Sequence, residues 1–241
     1  MLKNFAQRLP IPLITIVLLF SIDSFAAAQH DEELPPLAAA EELFNGQDLK
    51  GWIFFSKDAD AQIEDIWSVE DGVLKCAGKP RGYLQTRRWY RDYELSLQWR
   101  WSGKKGGNNG VLVHSTVPLL FGGWPQSLEV QLQSGSAGDF WVIGKHVDID
   151  VENADQRRAK RVKGNLHKHR RIKRLKSDPE KSVGQWNTMR IICAGGEITV
   201  FVNDVKVNHG TNCTVTQGGI ALQSEGTPAE FRNITIKPLE E

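Results

Sequence analysis

From residue 41 onward the chain alternates apolar and polar residues over short runs. No long run repeats with the 3.6-residue period of a helix. The clearest run has Tyr93, Leu95, Leu97, Trp99 and Trp101 on one side and Glu94, Ser96, Gln98 and Arg100 on the other. That pattern predicts a strand over 92–101 with one buried face. A glycine- and asparagine-rich turn at 104–110 leads back into a second strand at 111–114. Runs at 66–69 and 73–76 flank Glu70-Asp71-Gly72, and Asp-Gly is a strong hairpin signal. Residues 188–193 and 197–202 flank Ala194-Gly195-Gly196 as another hairpin, and strands at 219–223 and 229–236 follow. Many strands at short spacing predict an all-β sandwich or jelly roll. The long strand favours large curved sheets over a small barrel.

One run has an unusual polar face. Within residues 124–141 (WPQSLEVQLQSGSAGDFW), Leu128, Val130 and Leu132 point one way, and Ser127, Glu129, Gln131 and Gln133 the other. A carboxylate and amides follow one another there, with Trp124 and Trp141 on either side. Planar groups of this kind match neighbouring hydroxyls, and indole faces cover the C–H patches of a pyranose. The pattern suits an oligosaccharide or glycoside.

The first residues change the picture of what folds. Lys3 and Arg8 precede an apolar stretch at 11–20, and Ala26-Ala27-Ala28 fits a small-residue cleavage site. Residues 1–28 therefore read as a signal peptide of an exported protein, and 29–40 as a linker. The apolar stretch is half of the roughly 20 residues that a membrane span needs. The remaining length suits one large β domain. A formal net charge of +1 carries no functional message. Residues 145–185 read as a basic excursion, with eleven Lys or Arg between 157 and 176 and with His167 and His169. No aromatic is interleaved with these charges, so a nucleic-acid partner is not expected. Export permits disulfides. Cys193 and Cys213 both fall in the C-terminal β region and are the candidate pair, with three reduced thiols as the alternative. Cys76 then reads as a small buried residue.

Several separated segments have a shared source. They are Leu43-Phe44-Asn45-Gly46, Trp67-Ser68-Val69-Glu70-Asp71-Gly72, Tyr90-Arg91-Asp92-Tyr93, Asn109-Gly110-Val111, Leu128-Glu129-Val130-Gln131-Leu132, Gln185-Trp186-Asn187, and Leu222-Gln223-Ser224-Glu225-Gly226 before Phe231-Arg232-Asn233. In this order and spacing the chain resembles the 3-keto-disaccharide hydrolase domain family over residues 41–239. The resemblance implies a concanavalin A-like jelly roll of two antiparallel sheets. It also implies exported bacterial proteins acting on sugars whose C3 hydroxyl has become a ketone. Two departures stand out. The family often has Asn-Ser-Gly where this chain has Asn108-Asn109-Gly110, and Asn-Gly where it has Asn203-Asp204.

That substrate sets the chemistry to look for. The ketone acidifies the C2 hydrogen, a base removes it, the enolate expels the C1 substituent, and water adds to the enone. The site needs a base, a donor for the enolate oxygen, and an acid or metal at the leaving group. Glu129 is the candidate base. Arg100 and Gln131 are candidates for the ketone oxygen, with Gln98 on the polar face of the same strand as Arg100. His114 is the candidate acid or metal ligand. Gln133 and Asn109 are further substrate contacts, Asp139 and Trp141 candidate rim residues, and Trp124 a stacking residue. Structural alternatives stand beside these. Glu129 and Arg100 pair across strands, His114 is a satisfied core histidine, Glu225 closes a turn, and Arg232 anchors the last strand. Trp52, Trp67, Trp99 and Trp186 are expected in the core. No cofactor is expected, and no compact cluster of ligand residues in the sequence supports a divalent metal. A lectin-like binding module and an envelope structural protein are the alternative functions.

Overall fold

The computed structural model describes residues 34–120, 122–144, 147–153, 157, 170–175 and 179–240. The expected signal peptide at 1–28, and His167 and His169, lie outside them. The described strands begin with β1 (Glu41–Glu42), β2 (Trp52–Ser56), β3 (Trp67–Glu70), β4 (Val73–Cys76) and β5 (Gly82–Thr86). Next come β6 (Tyr93–Trp101), β7 (Gly110–Ser115), β8 (Ser127–Gln131), β9 (Phe140–Ile143) and β10 (Arg170–Ile172). The series ends with β11 (Asn187–Ala194), β12 (Glu197–Val202), β13 (Val205–Gly210), β14 (Gly219–Ser224) and β15 (Ala229–Pro238). One short helix, α1 (Ile63–Ile66), precedes β3.

These strands form two antiparallel sheets. The first has the order β13-β12-β11-β6-β15-β4-β3, with β1 beside β15. The second has the order β10-β9-β8-β7-β14-β5-β2. The core lies between them. Leu95, Leu97, Trp99 and Trp101 from β6 and Phe231 from β15 meet Val111, Val113, Leu128, Val130 and Leu222 of the second sheet. Each large side chain fully buried there contributes about 1.5–3 kcal/mol. The N-terminal tail joins this core: Leu37 is buried in it, and the amide of Leu34 bonds to Gln217 Oε1 at 2.9 Å.

Turn chemistry follows the sequence closely. Asp71-Gly72 joins β3 to β4 with positive φ at both residues. Asn203 and Asp204 also have positive φ, of 47° and 64°, so an Asp stands in a left-handed position that a two-residue hairpin turn usually gives to glycine.

Three expectations need correction. Cys193 and Cys213 are free and buried, as is Cys76. Cys193 pairs with Ile198 on one edge of β12, while the Cys213 amide bonds to Gly196 O beyond its other edge. Two strand spacings of ~4.8 Å exceed the ~7 Å that a disulfide can bridge. Burial pushes all three thiols up, which keeps them unreactive. Trp186 is half-buried on the outside of the first sheet, between the guanidinium groups of Arg100 and Arg232 at 4.6 and 4.1 Å from its ring. Trp52, Trp67 and Trp99 are in the core.

The third concerns His114. Alternation from Gly110 and Leu112 would place it on the outer face of the second sheet. Instead β7 bulges against β14, where the register shifts between Gly219 and Ala221. His114 takes φ 52° and turns inward, edge-on to Tyr93 with ring centroids 6.0 Å apart. The bulge is locked by Gly218, where a Cβ would lie 2.5 Å from the His114 carbonyl carbon.

Complete burial brings the His114 pKa down to about 4, although the Val215 backbone and Asp92 favour the charged form. The unfolded chain binds this proton near pH 6.5, so the neutral imidazole stabilises the fold above that pH. The contribution is lost as pH falls from 6.5 through 4. Across that window His114 removes about 3 kcal/mol of stability. His114→Asn is expected to flatten the acid limb of stability against pH, measured by urea unfolding at pH 7 and pH 4.5. An unchanged slope would contradict this.

Candidate functional site

The core dictates what the second sheet shows outside. Since Leu128 and Val130 of β8 face inward, Ser127, Glu129 and Gln131 face outward. On β7 the outward residues are Gly110 and Leu112, on β14 Ala221 and Gln223, and on β5 Tyr83. Register then sets neighbours. Glu129 lies between Trp141 of β9 and Leu112 of β7. Gln131 is opposite Gly110, and Gln223 opposite Tyr83, which is opposite Phe55 of β2.

The result is a two-sided hollow. One side is apolar: Tyr83, Leu112, Ile143 and Ala221 form a second buried cluster, with Phe55 and Trp124 against it. Phe55 stacks on Tyr83 at 5.1 Å, and Tyr83 meets Trp124 at 6.3 Å. The other side is polar. A pocket of about 190 Å³ is lined by Asn108, Trp124, Glu129, Gln131, Trp141, Ile143 and Glu225.

Gly110 makes room for this arrangement. A Cβ there would lie 2.6 Å from both Glu129 Oε1 and Gln223 Oε1. A glycine between two polar strands thus lets a carboxyl and an amide approach over bare backbone. Glu129 is only 5% exposed, and its Oε1 completes no hydrogen bond of ordinary geometry. The same holds for both polar atoms of the Gln223 amide and for Asn108 Oδ1. Buried polar atoms without partners are costly, and they cluster where a ligand is to be met. Burial pushes the Glu129 carboxyl well above the usual carboxylate range, nearby Glu225 raises it further, and the Gln223 amide opposes the shift. Burial also raises Glu225, against the pull of Arg81, whose Nη2 stands 3.9 Å from Glu225 Oε1. Gln131 Oε1 accepts the amides of Leu132 and Gln133, which leaves its Nε2 as the donor for the pocket.

Of the candidates from sequence, the pocket gathers Glu129, Gln131, Trp124 and Trp141. It does not gather Arg100 or Gln98. They are on the outer face of the first sheet, on the far side of the core. Arg100 pairs there with Glu230 at 2.5 Å, and Gln98 accepts from Arg232 at 2.7 Å. His114 is interior. Asn109 is one residue out of phase: its side chain runs inward beside Cys76, and Asn108 lines the pocket instead. Asp139 is a buried anchor, bonded to Arg171 Nε at 2.7 Å and to the Arg174 amide at 2.9 Å. It fastens the described end of the basic excursion to the turn after β8. Gln133 is half-exposed past the end of β8, and its side chain is not among those lining the pocket.

Asn108, Gln223 and Glu225 were missed. Gln223 and Glu225 are two apart, as residues sharing one strand face are, but the following Gly226 makes the segment read as a turn. Among the described residues no group of three or more His, Cys, Asp or Glu stands together as a metal site. No helix among them is long and apolar enough to cross a membrane.

Comparison with known proteins adds a family. A model described as the 3-keto-alpha-glucoside-1,2-lyase-like domain matches residues 39–237. A 3-keto-disaccharide hydrolase of Bacteroides thetaiotaomicron is 30% identical over an alignment of 98 residues that covers 36% of this chain. The match spans about a third of that relative, 32% of its length. Among solved structures, a candidate glycosyl hydrolase from Parabacteroides distasonis has a TM-score of 0.56 at 24% identity, covering 83% of this chain and 99% of its own. A β-glucanase of Bacillus licheniformis has a TM-score of 0.53 at 10% identity, covering 86% and 100%. The carbohydrate-binding module CBM66 of Bacillus subtilis has a TM-score of 0.52 at 10% identity, covering 78% and 95%. At these identities the structures share a fold with this chain.

The raised Glu129 carboxyl has a stability consequence. A folded pKa above the unfolded one favours folding below about pH 4.5, and that advantage is lost as pH rises through the folded value. Glu129→Gln is expected to melt above wild type at pH 8, and to match it near pH 4, in calorimetric scans. A variant that melts below wild type at pH 8 would show that the carboxylate holds the fold together.

Proposed function

The chain belongs to the 3-keto-alpha-glucoside-1,2-lyase-like domain family, and we propose that it cleaves 3-keto-glycosides, with Glu129 as the base. The observation that carries this reading is a carboxyl on a sheet face, shielded from solvent and set beside amides with polar atoms left unpartnered. Residues 1–28 would direct this activity outside the cytoplasm.

Glu129 takes the proton on C2, which the C3 ketone has made acidic. The negative charge moves to the ketone oxygen, where Gln131 Nε2 and the Gln223 and Asn108 amides are the donors at hand. Fixed donors of this kind, in a site poor in water, stabilise a developing oxyanion more than water would. Trp124, which lines the pocket, offers an aromatic face to the C–H side of the sugar. The enolate expels the C1 substituent, and water adding to the enone completes hydrolysis. The role first given to Arg100 passes to these amides, because Arg100 faces away across the core. A binding module would have little use for a carboxyl held above its normal range, since an ordinary ionised one grips hydroxyls at no such cost.

The test gives the purified protein a 3-keto-disaccharide and its unoxidised parent. Reducing sugar, or enone absorbance, is expected from the ketone only. Glu129→Gln is expected to lower kcat/KM by about a hundredfold or more, as for loss of a general base. Ionised Glu129 is the active form, so the rate climbs with pH on a limb well above that of an ordinary glutamate. Saturable binding with no product would favour a lectin-like module. Equal cleavage of the parent would point to a conventional glycosidase.

A further inference from the structure

We propose that Glu225 is the second catalytic residue of this pocket, protonating the departing oxygen on C1 and then taking a proton from water, in alternation with Glu129. The inference rests on the 3-keto-glycoside reading above and extends it to the other half of the reaction.

Glu225 follows the last residue of β14 and lines the same pocket as Glu129. Its side chain is 15% exposed, where a residue that only closes a turn would reach solvent. Arg81, whose Nη2 is 3.9 Å from Glu225 Oε1, is by contrast 70% exposed. The two carboxyls interact, and burial opposes charge on both, so together they favour holding one proton between them. In the free pocket that proton rests on Glu129, the more deeply buried of the two, while Arg81 favours charge on Glu225. The elimination requires the tautomer in which it has crossed to Glu225, leaving one carboxylate to accept a proton and one acid to give one.

The steps balance. Glu129 takes the C2 proton, and the C–H electron pair becomes the C2–C3 double bond of the enolate, with charge on oxygen. As the ketone re-forms, that pair shifts to C1–C2 and the C1–O bond breaks. The leaving oxygen receives the Glu225 proton. Glu129 is now protonated and Glu225 ionised. Water then adds by the reverse path. Glu225 takes its proton, the oxygen bonds to C1, and C2 is protonated by Glu129. Both groups return to their starting states, with no net oxidation or reduction. One pair thus serves elimination and hydration alike.

The experiment compares two 3-keto-glucosides, one bearing methanol and one bearing nitrophenol as the leaving group. Nitrophenolate departs without a proton; methanol does not. Glu225→Gln is expected to slow methyl-glycoside cleavage by about a hundredfold or more and nitrophenol release by under about tenfold. Hydration slows too, so the enone accumulates in the variant and its absorbance rises after nitrophenol release. Glu225→Asp, which keeps the acid, is expected to show the same split to a smaller degree and serves if the amide variant does not fold. Equal loss on both substrates in folded protein, or no loss on either, overturns the role of Glu225 while wild-type turnover upholds the family reading. Wild-type protein inert towards both substrates overturns the two together.

Discussion

The apolar interior between the two sheets decides what every strand presents outside. Leu128 and Val130 cannot leave the core without exposing large hydrocarbon surface, so Glu129 and Gln131 cannot leave the outer face. The same holds for Leu222 with Gln223, and for Val111 with Gly110. A slip of one residue in any of these strands would exchange the two faces. Register across β9, β8, β7, β14 and β5 then converts separate alternations into one surface. The pocket is in this sense a by-product of core packing, with Gly110 providing the space.

Electrostatics set a conflict on that surface. Glu129 and Glu225 sit where water is scarce and like charge is near, and neither condition favours the fold. Asp139 shows the opposite solution a short distance along the chain. It is equally buried, but Arg171 and the Arg174 amide meet its oxygens. One carboxylate ties down the basic excursion; the other is left with an unmet oxygen over a glycine. The contrast separates an anchor from a candidate reactive group without reference to position in the sequence.

On the proposed reading, a ketone on the substrate would explain why so modest a site suffices. By acidifying the C2 hydrogen, the carbonyl would open an elimination route to C1–O cleavage, which a conventional glycosidase achieves instead through an oxocarbenium-like transition state. What is left for the protein is proton traffic and a home for one negative oxygen. A carboxyl pair and a few amides would match that demand, and Trp124 would offer a surface for the sugar ring.

The sequence by itself determined the sandwich, most strand limits, the hairpins and the outward face of β8, because alternation and turn residues are local properties. It also reached Glu129, Gln131, Trp124 and Trp141, which belong to that strand or flank it. It could not place Arg100, whose alternation was read correctly but on the other sheet, nor Asn109, where one step of phase separates the pocket from the core. His114 turned inward at a bulge, which depends on how β7 meets β14. Cys193 and Cys213 were separated by a strand that only pairing could put between them. Gln223 and Glu225 joined Glu129 from almost a hundred residues away. Only the tertiary structure decided these, because which strands lie side by side, and in what register, is settled by contacts between distant segments and leaves no period in the chain.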